Sequence, residues 1–160
     1  MPRPPTWVSG LACAAALAAG VAVADTPLRP PYDYIRTAGT VTVAADAATL
    51  TTTITAADGT VWTVPAWSDF IYPSVDGRAV LLTPGAQLAA STDPDLVVGT
   101  IHGIGPPPVV QPLPLGLLHA APQDLPRTAS HVVWHTGITA GPDGWIIDLP
   151  GGGRALIRYP

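Results

Sequence analysis

From Thr40 onward, apolar and polar residues alternate in short β-branched runs: TVTVA at 40–44, TLTTTITA at 49–56, TVWTV at 60–64, AVLLT at 79–83 and LVVGTI at 96–101. A period of two over so few residues is the pattern of strands with a buried face. Asp-Gly, Pro-Gly and Asp-Pro-Asp turn signals separate the runs. Beyond the N-terminus no window carries a capped 3.6-residue period, so helix is expected for at most a turn or two, near Leu117 to Ala121. The pattern predicts an all-β protein, an antiparallel sandwich or small barrel.

The strands also repeat. DGTVWTVP at 58–65 matches DGWIIDLP at 143–150, GRAVLLTP at 77–84 matches GRALIRYP at 153–160, and ITA precedes each first block, so ten of nineteen aligned positions are identical. Each copy reads as strand, Asp-Gly turn, strand ending at Pro, connection, Gly-Arg and a last strand, which predicts two related three-stranded meanders. The comparison also assigns faces. Ala79, Leu81 and Thr83 match Ala155, Ile157 and Tyr159 on one side of the last strand, and Val80 and Leu82 match Leu156 and Arg158 on the other. Arginine opposite leucine predicts that the first copy's last strand is covered on both faces while the second copy's lies near an edge. Between Pro and Gly-Arg the first copy carries 66–76 (AWSDFIYPSVD) where the second has only Gly151 and Gly152. Such an insertion is expected to hang on the rim of the scaffold.

The flanking segments bound the domain. Arg3, the apolar run Leu11 to Ala24 and the small-residue pattern Ala22-Val23-Ala24 read as a signal peptide over residues 1–24, cleaved before Asp25. Residues 25–39 open on DTPLRPPYDY and are expected to form an extended N-terminal arm. A single β domain then occupies 40–160, with copy one at about 40–104, a proline-rich crossover at 105–116 and copy two at about 117–160. The crossover, GPPPVVQPLPLG, holds five prolines in twelve residues; that composition excludes helix and central strand, favours polyproline II, and suits a stiff connection from one sheet to the other.

Composition then narrows the chemistry. The chain contains no Lys, Glu or Asn. A Walker lysine, a Glu-based glycosidase pair, an HExxH zinc helix and an N-glycosylation acceptor are therefore impossible. With 7 Arg against 11 Asp and a formal charge of −4, there is no phosphate-tracking stripe, so nucleic acid is a poor partner, and no membrane association is expected once the leader is removed. The single cysteine, Cys13, lies within the leader. Cleavage would leave a mature chain without thiol chemistry, and no cofactor is expected.

The candidate site is aromatic. Trp67, Phe70 and Tyr72, with Asp69 as polar neighbour, sit in the one insertion that the β framework can do without; flat apolar faces beside hydrogen-bonding groups suit a protein or carbohydrate partner. The rival reading has the same rings plugging an open end of the core. Trp62 and Trp134 lie inside strand patterns and read as core. His131 and His135 bracket HVVWH, which as a strand separates them by about 13 Å, too far to share a metal. Ser130, beside His131, would point to the opposite strand face. The resulting expectation is an exported, periplasmic or secreted, non-enzymatic binding or structural module of the cell envelope or exterior. The alternative is a small hydrolase or metal-handling protein, which would have to converge several of His102, His119, His131, His135, Asp69, Asp124 and Asp148 on one point.

Overall fold

The structure is a computed structural model that describes residues 30–68, 70–89, 91–103 and 108–160. The proposed leader and Asp69 lie outside the described residues. The protein is all-β, with antiparallel sheets and, among the described residues, no closed barrel. The first sheet has the order β1-β2-β3-β4, from β1 (Tyr34–Ala38), β2 (Val41–Asp46), β3 (Thr51–Thr55) and β4 (Val61–Val64). The second has the order β5-β6-β8-β9, from β5 (Phe70–Pro73), β6 (Ala79–Thr83), β8 (Val97–Gly103) and β9 (Val109–Pro114). A two-stranded ribbon joins β7 (Gln87–Ala89) to β10 (His131–Val133), and β11 (Gly137–Ala140), β12 (Gly144–Asp148) and β13 (Arg154–Arg158) form the last sheet in sequential order. Among the described residues, helix is confined to α1 (Leu115–Leu118) and a 3-10 turn at Pro122–Asp124.

Two apolar cores lie on opposite faces of the second sheet. Val80 and Leu82 of β6 pack with Val41, Val43, Ile54 and Val64 of the first sheet, and Trp62, Tyr34 and Ile71 close the edges of that cluster. Ala79 and Leu81, on the other face of β6, pack with Val98, Ile101, Leu113, Trp134, Trp145 and Ile147 in a larger core. All five residues of β6 are buried, whereas β13 alternates exposed and half-buried at the edge of its sheet. The difference anticipated from Leu82 and Arg158 is therefore observed.

The hairpins of the two matching segments pair in corresponding register. Ile54 opposes Trp62 and Thr55 opposes Val61; the equivalent positions, Ile138 with Ile147 and Thr139 with Ile146, pair in the same way. The third strand departs from expectation. β13 continues the second meander by pairing with β12, but β6 pairs with β5 and β8 and not with β4. The cause is the insertion, which is not a rim loop: its residues Phe70–Pro73 form β5 and capture β6 in a separate sheet. A tight turn completes that capture. Ser74 Oγ donates to Asp76 Oδ1 (2.6 Å) and accepts the Ala79 N–H (2.9 Å). Gly77 adopts φ +69°, and a Cβ there would fall 2.0 Å from Thr40 Oγ1, so only glycine lets β6 start beneath the first sheet.

The proline-rich segment also differs from a free crossover. Residues 109–114 form β9 on the outer edge of the second sheet, with Pro112 opposite Thr100 and Pro114 opposite Val97. Proline is excluded from central strands but tolerated where its missing N–H would face solvent, and an edge supplies that place. Of the two tryptophans read as core, Trp134 is fully buried and Trp62, on edge strand β4, is half-buried.

Candidate functional site

Three of the four residues proposed from sequence are described, and the structure divides them. Trp67 is half-buried, and its indole Nε1 donates to the Tyr32 carbonyl (3.0 Å). Its ring meets Tyr32 edge-on at 5.5 Å and Tyr34 at 6.3 Å, and the two tyrosines lie 5.7 Å apart. Phe70 and Tyr72 alternate with Ile71 on β5 and face the larger core. Tyr72 packs against that core, and its carbonyl accepts the Trp145 Nε1–H at 2.8 Å. Phe70 remains 42% exposed and lies across Gly85, where a Cβ would fall 2.8 Å from its ring. Tyr72 thus contributes to the larger core, and Trp67 belongs to a separate cluster with the arm.

Sequence reasoning missed the partners of Trp67. Tyr32 and Tyr34 were visible only as members of a proline-rich arm, whose later residues form β1 against β2. The arm is fixed in place by side chains. Tyr34 Oη donates to the Ser68 carbonyl, and Asp33 Oδ1 accepts the Ala47 N–H (2.8 Å). Arg36 places its guanidinium 4.4 Å from the Tyr34 ring centroid and reaches Tyr32 Oη at 3.4 Å. Beneath the cluster, buried Thr52 and Ser68 stitch the two sheets: Thr52 Oγ1 donates to the Ala66 carbonyl (2.7 Å) and Ser68 Oγ to the Thr83 carbonyl (2.8 Å). These bonds hold the chain on both sides of Trp67 and so fix its ring in position.

On the face of the first sheet opposite the Tyr34 ring, an open depression of about 460 Å3 runs over β1, β2 and β3, lined by Asp33, Ile35, Ala44, Asp46 and Thr53 with Tyr34 and Ala45 between them. Ile35, 79% exposed, belongs to one wall, and the carboxylates of Asp33 and Asp46 contribute to its lining. Asp46 is held below the ordinary carboxylate range by the Thr49 backbone N–H and side chain and then by the Ala48 N–H, so it stays an acceptor in mild acid.

The histidines do not converge. His102 is buried beside Thr100 Oγ1 (3.0 Å), and burial lowers its pKa. His119 donates from Nε2 to the Trp134 carbonyl (2.7 Å), which fixes its tautomer and holds the strap after β10. His135 is 4% exposed, stacks edge-on against Trp134 at 4.4 Å, has no hydrogen-bond partner at either ring nitrogen, and is lowered to about 4 by burial. Ser130 lies in a bend before β10, and its Oγ approaches His131 Nδ1 at 3.0 Å, contrary to the opposite-face expectation, because the strand begins only at His131. Thr128 Oγ1 accepts both backbone N–H groups of that bend, which makes it a local turn. Asp58, Asp76 and Asp93 likewise accept backbone N–H groups within their own turns. Among the described residues, no three His, Cys, Asp or Glu side chains stand close enough to hold a metal ion.

No family model, curated protein or solved structure matches this chain.

Proposed function

We propose that the protein is an exported, non-enzymatic binding or structural module of the cell envelope or exterior. In this reading the carbohydrate or protein partner is contacted through the insertion and the arm that packs on it. The observation that carries the proposal is the Tyr32–Tyr34–Trp67 cluster, three half-buried rings in mutual contact. Rings of this kind offer apolar faces to the C–H surface of a sugar, which favours a carbohydrate. Phe70 remains a second exposed contact, while Tyr72 contributes mainly to the core.

The same proposal includes cleavage after Ala24 and derivation of the two hairpins from one ancestral unit, with the insertion and the proline-rich segment as later elaborations. The corresponding hairpin registers support the duplication. The leader composition supports export.

The experiment is a glycan array of bacterial and plant polysaccharides probed with protein purified from the exported fraction, its N-terminus sequenced first. Asp25 is expected as the first residue. Retention on a glycan should be lost in Trp67→Ala, with far-UV circular dichroism unchanged. Retention of Met1 in a membrane fraction would remove the export reading, and glycan binding indifferent to Trp67→Ala would remove the site.

A further inference from the structure

The edge strands of this molecule are protected in different ways, and one of them is not. β1 carries Arg36, β9 carries Pro112 and Pro114, and β13 carries Arg154 and Arg158. β5 contains Pro73 and is approached by β1 and β11, which in turn covers β11. β7 and β10 have three residues each. Charges, prolines, covering segments and short length are the usual means of keeping a sheet edge from adding a further strand. β4, Val61-Trp62-Thr63-Val64, has no charge and no proline, and among the described residues no strand pairs on its outer side.

The ladder shows which backbone groups that edge offers. The Ala56 N–H donates to the Thr60 carbonyl at 2.8 Å, so Ala56 and Thr60 form the hydrogen-bonded pair that closes the β3–β4 hairpin. Alternation along an antiparallel ladder then turns the N–H and C=O of Trp62 and Val64 toward β3 and those of Val61 and Thr63 outward. Val61 is 58% exposed, and Thr63 is exposed beside it on the outer face.

We propose that β4 is the dimerisation edge, pairing antiparallel with β4 of a second copy about a two-fold axis at Trp62. This register is the one in which Val61 and Thr63 of each copy exchange both hydrogen bonds with Thr63 and Val61 of the other. A shift that centres the pair on Thr63 sets Val61 opposite Pro65, which has no N–H to give. Centring on Trp62 makes the two tryptophans a non-hydrogen-bonded pair, the closer of the two antiparallel spacings, so the half-buried rings at the rim of the two smaller cores cover one another. No charge is opposed by a like charge, in contrast to β13, where the same symmetric pairing would set Arg154 against Arg158. The result joins two first sheets of four strands into one continuous sheet, an isologous interface that closes on itself.

Sedimentation velocity across a concentration series tests this on the purified protein. A reversible dimer is expected, weakened by more than about tenfold in Val61→Lys and in Thr63→Pro. Thr63→Pro removes an outward N–H that β3 does not use, so its far-UV spectrum should match the parent. Leu156→Lys, on the β13 edge, should leave the dimer intact. In a Cys13→Ser background, Trp62→Cys should oxidise to a covalent dimer, because that pair brings its backbones within disulfide range. A protein monomeric at all concentrations overturns the proposal. So does a dimer that dissociates with Leu156→Lys and persists with Val61→Lys.

Discussion

The hairpin at β3–β4 and the hairpin at β11–β12 are built from matching sequence and pair in the same register, yet they meet opposite fates. In the second, β13 adds to β12 after a connection through three glycines, and Trp145 at the start of β12 is fully buried. In the first, residues 66–76 provide a strand of their own, β6 follows that strand, and β4 is left as an edge. Local sequence thus determines the hairpin, while the length of one connection determines which sheet the next strand joins. The packing follows from that choice: Ala79 and Leu81 reach the larger core from the second sheet, and Ala155 and Ile157 reach the same core from the last one.

The comparison is broken most directly through its tryptophans. Trp145 loses all solvent contact, donates to the Tyr72 carbonyl and meets Tyr159 edge-on at 4.7 Å. Trp145→Ala should cost about 3 to 5 kcal/mol in chemical denaturation, whereas Trp62→Ala at the half-buried edge should cost less than half as much. Equal losses would mean that the two hairpins contribute alike to stability and that the sheet assignment has no energetic consequence.

Acid sharpens the contrast. The strand entering the second hairpin is preceded by buried His135, where the first has the partly exposed Thr51. Burial holds His135 neutral down to about pH 4, whereas the unfolded chain titrates near its ordinary value of 6.5. Between those values the unfolded state binds more protons, so stability is full above about pH 6.5 and falls as pH drops toward 4, by at most about 1.4 kcal/mol per pH unit for this one group. His102, also lowered by burial, adds in the same direction. Urea titrations from pH 7 to pH 4 should show this slope, and His135→Leu should flatten it. Hydrogen exchange in mild acid should rise first in β10 and β11, and a slope unchanged by His135→Leu would place the acid-sensitive group elsewhere.

These outcomes bear on how much a sequence of this kind reveals. Strands, turns and the faces of β6 and β13 were legible because alternation and the Leu82-to-Arg158 exchange are local signals. Sheet membership was not, since β6 leaves β4 for partners supplied by the insertion and by β8. Trp67 was legible as a candidate, but its neighbours were not. Tyr32 and Tyr34 lie more than thirty residues upstream, and nothing in a run of prolines and tyrosines says that the arm will be pinned to Ser68 and Ala47. The prolines of β9 rule out a central strand but leave an edge strand open, and position within a sheet is not written in composition.

The smallest expected effect concerns the polar pair that distinguishes the second hairpin. Arg154 Nε lies 2.8 Å from Asp148 Oδ1, both exposed, where the first copy has Arg78 and Thr63 at the matching positions. Arg154→Ala should change stability by about 0.5 kcal/mol or less, read as a shift of the thermal midpoint that vanishes in high salt. A larger loss would show that β13 depends on this ion pair to stay on β12.

The two prolines of β9 bear on a hazard that small all-β proteins face when crowded. Val109 and Val110 leave that strand exposed and apolar, the kind of segment on which fibrils nucleate. A fibril grows only where each added strand finds donors at alternate positions, and Pro112 and Pro114 remove them. Arg36 places a charge on β1, at the far side of the first sheet from β4. Growth from either of the larger sheets is therefore finite: one edge can accept a strand, the others terminate, and the chain can be concentrated without seeding its own polymer.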